Sequence, residues 1–432
     1  MTGVDAYCHA IVIVGTYGCE FARDTGCLMK ILFISRRNNQ ARYFSRLSAS
    51  LPFDSAVHII GTPSGLTFQS LVCGLRYDTR SVVATQLLRR ANKYPRLAGH
   101  RWLAALYAPI VSIKEKLRYA RYHALFAKRR PESIGLWNGK KLPTVTIVAV
   151  AKDLGVPVWY FENGLLPGTC SLDPRGVNAS SSLPGEPGFY LRYRFDSTTP
   201  KPVAPLAPRP PVRQRREAAP VRLPARFLFV PFQVPDDTQI VCHSPWIGSM
   251  EILFDEVMRA RDALGDPELK VVFKEHPSWP GHFDHLYQRH PDAIFANGNA
   301  TPDLIRSCEA LVTVNSTVGL EGVQLCKKVV VLGQACYRVP DLVLAADNAD
   351  DLRLALGRLA GWQPSEELRR SYLRFLNEVY CIPQKWSEAA DLHFTAVKHR
   401  LLCDDALMSC LGPARAAAES EPLSPSPELQ TI

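Results

Sequence analysis

Apolar residues along this chain fall into two alternating patterns. Short runs rich in Val, Ile, Leu and Phe are compatible with strands buried on both faces: "KILFIS" from Lys30, "AVHII" from Ala56, "SIGLWN" from Ser133 and "PVWYFE" from Pro157 in the first half. The second half repeats the theme with "RFLFVPFQ" from Arg226, "LKVVFKE" from Leu269, "ALVTV" from Ala310 and "KVVVLG" from Lys328. Between them lie segments of helical character, "TVTIVAVAKDLG" from Thr144, "MEILFDEVMRARDAL" from Met250, "DLIRSC" from Asp303 and "STVGLEGVQLC" from Ser316. Strand-like runs separated by helical ones predict parallel, doubly wound sheets. The pattern occurs twice, so the expected fold is α/β, with two Rossmann-like domains facing each other across a cleft.

Punctuation along the chain divides it further. The stretch "TPKPVAPLAPRPPVRQRREAAPVRLPAR", residues 199–226, is dense in Pro and Ala without apolar periodicity and reads as a linker. This sets an N-terminal domain at 29–198 and a C-terminal domain at 227–390, followed by a segment at 391–432 whose polar, Pro-rich end predicts a disordered tail. Met29 opens a better first strand than anything before it, so residues 1–28 read as an extension upstream of the natural start. No apolar run reaches the roughly 18 residues that span a bilayer.

Ligands of open α/β sheets bind beyond the carboxyl ends of the strands. The residues following the predicted strands are Arg36, Arg37 and Asn38, then Asn138 and Gly139, Glu162, Asn163 and Gly164, and in the second half Gln233, His276, and Asn315, Ser316 and Thr317. Asn315, Ser316 and Thr317 stand where a helix begins. Free N–H groups and the positive end of the dipole favour an anion there, and hydroxyls add donors. Ser and Asn are also preferred N-caps, which would account for them without a ligand. His276, in "FKEHP", ends a strand of the same half, where an imidazole could donate to a phosphate oxygen as it leaves.

Charge adds one further expectation. The chain has 51 basic and 41 acidic residues, net +10, and the excess is local: Arg76 to Arg130 holds 14 Lys and Arg against Asp78 and Glu115 alone. A solvated helix face would explain this. Trp102, Leu103, Leu106, Tyr107, Ile110 and Tyr122 interleave with the cations, as in a helix lying on anionic lipid. Nucleic acid is not expected, because no RNP-like, KH-like or zinc-finger pattern accompanies the charge. The 12 cysteines include no CxxC pair and no Cys/His ligand spacing, which predicts reduced thiols and no metal site.

Taken in order, "WNGKK", "YFENGLLPGT", "DPRGVNASSSLP", "VPFQVPDDTQIVCHSP", "FKEHP" and "VNSTVGLEGV" resemble the KpsC/KpsS (LipB-type) capsular polysaccharide family, the single-module KpsS type more than the duplicated KpsC type, over about residues 29–390. The resemblance implies a GT-B glycosyltransferase, metal-independent and retaining, that uses CMP-Kdo as donor substrate without a cofactor. It implies a phospholipid acceptor of phosphatidylglycerol type at the inner membrane surface, a cytoplasmic, peripheral location, and the capsule export machinery as a partner. His276 and Ser316 would hold the CMP phosphate, with Lys274, Pro277, Asn315 and Thr317 around them. Gln233 and Asp237 would lie near the donor. Glu162 falls where relatives carry an acidic residue beside the sugar carbon, and Asp173 is the other carboxylate of that stretch. KpsC-type modules have Glu-Asp-Gly where this chain has Glu162-Asn163-Gly164. A CDP-glycerol glycerophosphotransferase and a non-catalytic GT-B scaffold are the alternatives.

Overall fold

The computed structural model describes residues 30–94, 100–206 and 218–417. The expected extension at 1–28, the middle of the linker and the end of the tail lie outside the described residues. The first lobe opens with β1 (Ile31–Ser35), α1 (Asn38–Ser50), β2 (Ser55–Ile59), α2 (Phe68–Arg76), α3 (Arg80–Lys93) and α4 (Arg101–Arg129). It continues with β3 (Ser133–Trp137), α5 (Thr144–Asp153), β4 (Val158–Asn163), β5 (Thr169–Asp173) and α6 (Pro187–Arg192). The second lobe comprises β6 (Phe227–Pro231), α7 (Thr238–His243), α8 (Met250–Asp262), β7 (Lys270–Lys274), β8 (Ala293–Phe295), α9 (Thr301–Ser307) and β9 (Ala310–Thr313). After them come α10 (Thr317–Gln324), β10 (Lys328–Val331), β11 (Leu344–Ala345), α11 (Ala349–Arg358) and α12 (Glu366–Phe375), and the chain ends with β12 (Ile382–Pro383), α13 (Asp391–Leu401) and α14 (Ala406–Ala417).

The strands form two six-stranded sheets, ordered β12-β5-β4-β3-β1-β2 and β11-β10-β9-β6-β7-β8. Every pairing of the second sheet is parallel, whereas in the first β5 runs antiparallel to both β4 and β12. All eight strands expected from the apolar runs are present. The central ones are buried on both faces: every residue of β1 and β6 is buried, as a strand covered by helices on each side requires, whereas the edge strand β2 stays partly exposed along its length. The strands β5, β8, β11 and β12 are too short or too polar to stand out in the pattern. Two Rossmann-like lobes of this kind constitute the GT-B arrangement.

Two boundaries differ from expectation. β12 joins the first sheet, pairing Ile382 with Cys170 and Pro383 with Thr169, and Phe394, Val397 and Leu401 of α13 pack on Phe33, Tyr43 and Phe44. The chain therefore returns to the first lobe before residue 390. Arg400 fixes the return: buried, it donates to the carbonyls of Leu172, Val379 and Tyr380 and pairs with Asp405, tying the π-helical turn Leu376–Tyr380 to β5. In the other direction α6 leaves the first lobe, since Tyr190 is buried with Tyr372 and Phe375 of α12 in the core of the second.

The described ends of the linker do not hang free. Lys201 N–H donates to Glu378, Asn377 donates to the carbonyls of Lys201 and Pro202, and Gln324 donates to that of Ala204. On the far side, Val221 exchanges two hydrogen bonds with the Asn299 side chain. A Pro-rich backbone has few donors but intact carbonyls, so side-chain amides can moor it along the second lobe.

Candidate functional site

On the second lobe β6 is the central strand, flanked by β9 and β7, so the residues after these three neighbours converge on one stretch of sheet edge. Gln233 follows β6 and Asn315 follows β9. Both are buried, and they bond each other: Gln233 Nε2 donates to Asn315 Oδ1 at 2.9 Å and Asn315 N–H to Gln233 Oε1 at 3.2 Å. Asn315 Nδ2 then donates to the carbonyls of Gln239 and His243. Gln233 and Asn315, expected near the donor, are brought together at this edge, and Asn315 lines a pocket there. Their polar atoms are engaged in fixing α7 against the sheet.

Asp237 is likewise committed. One oxygen caps α7 by accepting from Gln239 N–H at 3.0 Å, and the other lies 3.3 Å from Lys141 of the first lobe. Burial pushes its carboxyl up, but Lys141 and the Gln239 N–H outweigh this and the net shift is downward. Lys274 donates to the carbonyls of Asn297 and Asn299 and so holds the loop that moors the linker.

Ser316 caps α10, its Oγ accepting from Val318 N–H at 3.2 Å. The cap reading is thus realised, and it leaves the hydroxyl proton available to donate at the positive end of the helix, beside Thr317. Behind it the Tyr337 hydroxyl donates to Ser316 O, passing so close to Gly319 that a Cβ there would lie 2.2 Å from it. His276 follows β7, with Pro277 next in the loop, and its Nδ1 accepts from Ser278 N–H at 3.2 Å. That bond assigns the imidazole proton to Nε2.

On the first lobe, Glu162 ends β4 next to β3. Its Oε1 accepts from Trp137 Nε1 at 3.1 Å and Asn163 N–H at 3.0 Å, and its Oε2 from Asn138 Nδ2 at 2.8 Å. Three donors fix the carboxylate while the residue stays partly exposed. Asn138 reaches it from a left-handed turn, φ 66° at Asn138 and 79° at Gly139, where a Cβ on Gly139 would lie 2.5 Å from the Tyr160 ring. Asn163 itself accepts from Trp386 Nε1. Asp173 behaves otherwise. It is fully buried and accepts from the N–H groups of Arg175, Gly176 and Ser182 and from the Ser182 hydroxyl. The expectation of a catalytic Asp173 is corrected: the side chain caps the loop and presents no face to the cleft.

Several residues at the seam between the lobes carry no earlier assignment. A small pocket is lined from the first lobe by Leu165, Asn178 and Ala179 and from the second by Gln239, Thr317 and Tyr337, with Asn315 beneath. Gln239 Oε1 is buried without a hydrogen-bond partner among the described residues. His243 accepts from or donates to Gln334 and Ser180, and burial lowers its pKa below 6.5. Burial, partly offset by Cys242, also lowers that of Lys140 after β3. Gln239 and His243 lie in "TQIVCH", a six-residue helix too short to register as periodic; Lys140 was visible only as part of "WNGKK". The lobes are further joined by Arg89, which donates to Asp236 O and pairs with its carboxylate, and by Asn92, which donates to Pro235 O. His276 is not among the lining of the seam pocket. Among the described residues no cluster of three His, Cys, Asp or Glu is arranged to hold a metal ion, and no helix is long and apolar enough to cross a membrane.

Two facing Rossmann-like lobes with their strand ends turned to a common seam define the GT-B class. Within it, residues 211–377 match the family described as capsule polysaccharide biosynthesis protein. Protein FixF of Sinorhizobium fredii is 35% identical over 335 residues, which cover 77% of this chain and 80% of FixF. The capsule polysaccharide export protein KpsS of Escherichia coli is 26% identical over 253 residues, covering 44% of this chain and 64% of KpsS. Among solved structures, the KpsC beta Kdo 2,7 transferase of Thermosulfurimonas dismutans is similar at 18% identity and a TM-score of 0.39, over 61% of this chain and 82% of that one. The chain belongs to the KpsC/KpsS capsule polysaccharide family.

Proposed function

We propose that this chain is a glycosyltransferase that transfers Kdo from CMP-Kdo to a lipid acceptor of phosphatidylglycerol type in capsular polysaccharide assembly. The observation that carries the reading is the seam. Thr317, the first residue of α10, forms a small pocket with first-lobe residues, Ser316 caps the same helix end next to it, and Gln239 Oε1 lies buried there without a partner among the described residues. A cytidine monophosphate offers both an anion for the helix end and amino and hydroxyl donors for such an acceptor. In this reading Ser316 and His276 hold the leaving phosphate, His276 donating its Nε2 proton, so protein donors rather than a metal ion meet the developing charge. Gln233, Asn315 and Asp237 position the cradle, and Lys274 and Pro277 shape the loop that carries His276.

Glu162 is the carboxylate for the sugar. Held by Trp137, Asn138 and Asn163, it attacks the anomeric carbon as the carbon–oxygen bond to the phosphate breaks and CMP leaves with the electron pair; the acceptor hydroxyl, losing its proton to water, then displaces the carboxylate, which retains configuration. The test is CMP release from purified protein given CMP-Kdo or CDP-glycerol with a lipid acceptor. Release from CMP-Kdo alone is expected. Release from CDP-glycerol alone would assign a glycerophosphotransferase, and nucleotide binding without release from either would assign a scaffold.

A further inference from the structure

The surface of the first lobe formed by α2 and α4 contributes no residue to the lining of the seam pocket and carries an unusual load of uncovered apolar side chains. On α4, Trp102, Leu106, Ile110, Ile113 and Leu117 are all exposed, the first four at 61%. Their spacing of four, four, three and four residues puts them in one stripe along the helix, about 22 Å from end to end at 1.5 Å per residue. On α2, Phe68 and Leu75 are 85% and 69% exposed, and Leu71 lies between them. The two helices are one packed unit: Gly74 meets α4 so closely that a Cβ would lie 2.5 Å from Lys116 O, and Lys116 Nζ donates to Leu75 O at 2.8 Å.

The stripe runs into a basic hollow. Leu117 also lines a cavity of about 530 Å³ between α4 and the loop of residues 60–64, together with Lys114, Arg118, Arg121 and Tyr122. No acidic side chain lines it. None occurs on α2, and Glu115, the one acid of α4, is buried and paired with Arg118. A second copy of the chain is a poor occupant, since an isologous contact would set these cations against each other. An anionic membrane matches both features, accepting apolar side chains at its acyl boundary and supplying phosphates to the cations.

We infer that the α2–α4 face is a membrane-docking surface, with the α4 stripe inserted at the interface of an anionic bilayer and a headgroup phosphate seated between Lys114, Arg118 and Arg121. It rests on the exposed face and not on the donor chemistry, so it stands or falls separately from sugar transfer. The test is flotation of the full chain with vesicles of phosphatidylcholine alone or mixed equally with phosphatidylglycerol. Binding to the mixed vesicles is expected, weakened about twentyfold by the double change Lys114→Ala and Arg121→Ala. Ile110→Ser with Ile113→Ser lowers it at least as far, about twentyfold or more, because buried hydrocarbon is lost. Unchanged thermal melting identifies both as surface changes. Equal binding by wild type and both variants, or no binding to either vesicle, would overturn the inference. So would a wild-type dimer in light scattering that Ile110→Ser with Ile113→Ser turns into monomers, which would assign the face to a second copy.

Discussion

The carboxyl-terminal edges of the two sheets are both polar, yet they use that polarity differently. On the second lobe Gln233 and Asn315 satisfy each other, Asp237 caps α7, and Lys274 holds a loop, so most of the polar side chains build the scaffold. On the first lobe Glu162 is fixed by three donors while remaining partly open to the cleft, and Asp173, eleven residues on, is sealed in. Residue type and position at a strand end are therefore insufficient to mark a functional group. Both first-lobe carboxylates are held by several donors, and what separates them is burial: Asp173 is sealed in, and Glu162 is not.

The largest effect expected from this division falls on Glu162. Glu162→Gln keeps the shape and loses the charge, so turnover should fall by about 10²–10⁴-fold while CMP affinity, measured by calorimetry, stays at the wild-type value. Asp173→Asn should do the opposite. An amide facing the Ser182 donors forfeits charge-assisted bonds, costing about 3 kcal/mol of folding stability by denaturant titration, with turnover per folded molecule nearly intact. If Asp173→Asn instead abolished turnover in a stable protein, the contrast between the carboxylates would be reversed.

Next in size are the cradle residues. Ser316→Ala and His276→Ala should each weaken CMP binding by about 1–3 kcal/mol. Gln233→Ala should appear chiefly in stability, since it leaves Asn315 Oδ1 and the Asn315 N–H without their Gln233 partner. Equal losses of CMP affinity in all three variants would erase the distinction between holding and positioning. The smallest effect is on pH. Burial lowers the pKa of His58, His243 and His393 from 6.5, so below that value the unfolded chain binds protons that the folded chain refuses. Stability is complete above about pH 6.5 and is lost as pH falls through the folded values, which melting curves at pH 7.5 and 5.5 would register.

The sequence made the central strands legible because burial on both faces leaves continuous apolar runs, and the strand ends because a polar residue stands out against them. What it hid has physical causes. β12 contributes two residues, and its pairing of Ile382 with Cys170 of β5 joins segments more than 200 positions apart. The bond between Gln233 and Asn315 spans 82 positions, and the engagement of Asp173 by Ser182 depends on a loop with no periodicity. Gln239, His243 and Lys140 become candidates only once the lobes meet. The basic, aromatic character of residues 76–130 was plain, but which side chains α4 leaves uncovered followed only from its packing on α2.

The most direct test of the account sets wild type beside Glu162→Gln with CMP-Kdo and a fluorescent phosphatidylglycerol, reading the lipid by mass and nucleotide binding by calorimetry on the same preparations. The account predicts that wild type adds Kdo to the lipid and that Glu162→Gln binds CMP equally well but forms little adduct. No adduct from wild type, or adduct from Glu162→Gln at the wild-type rate, would contradict it.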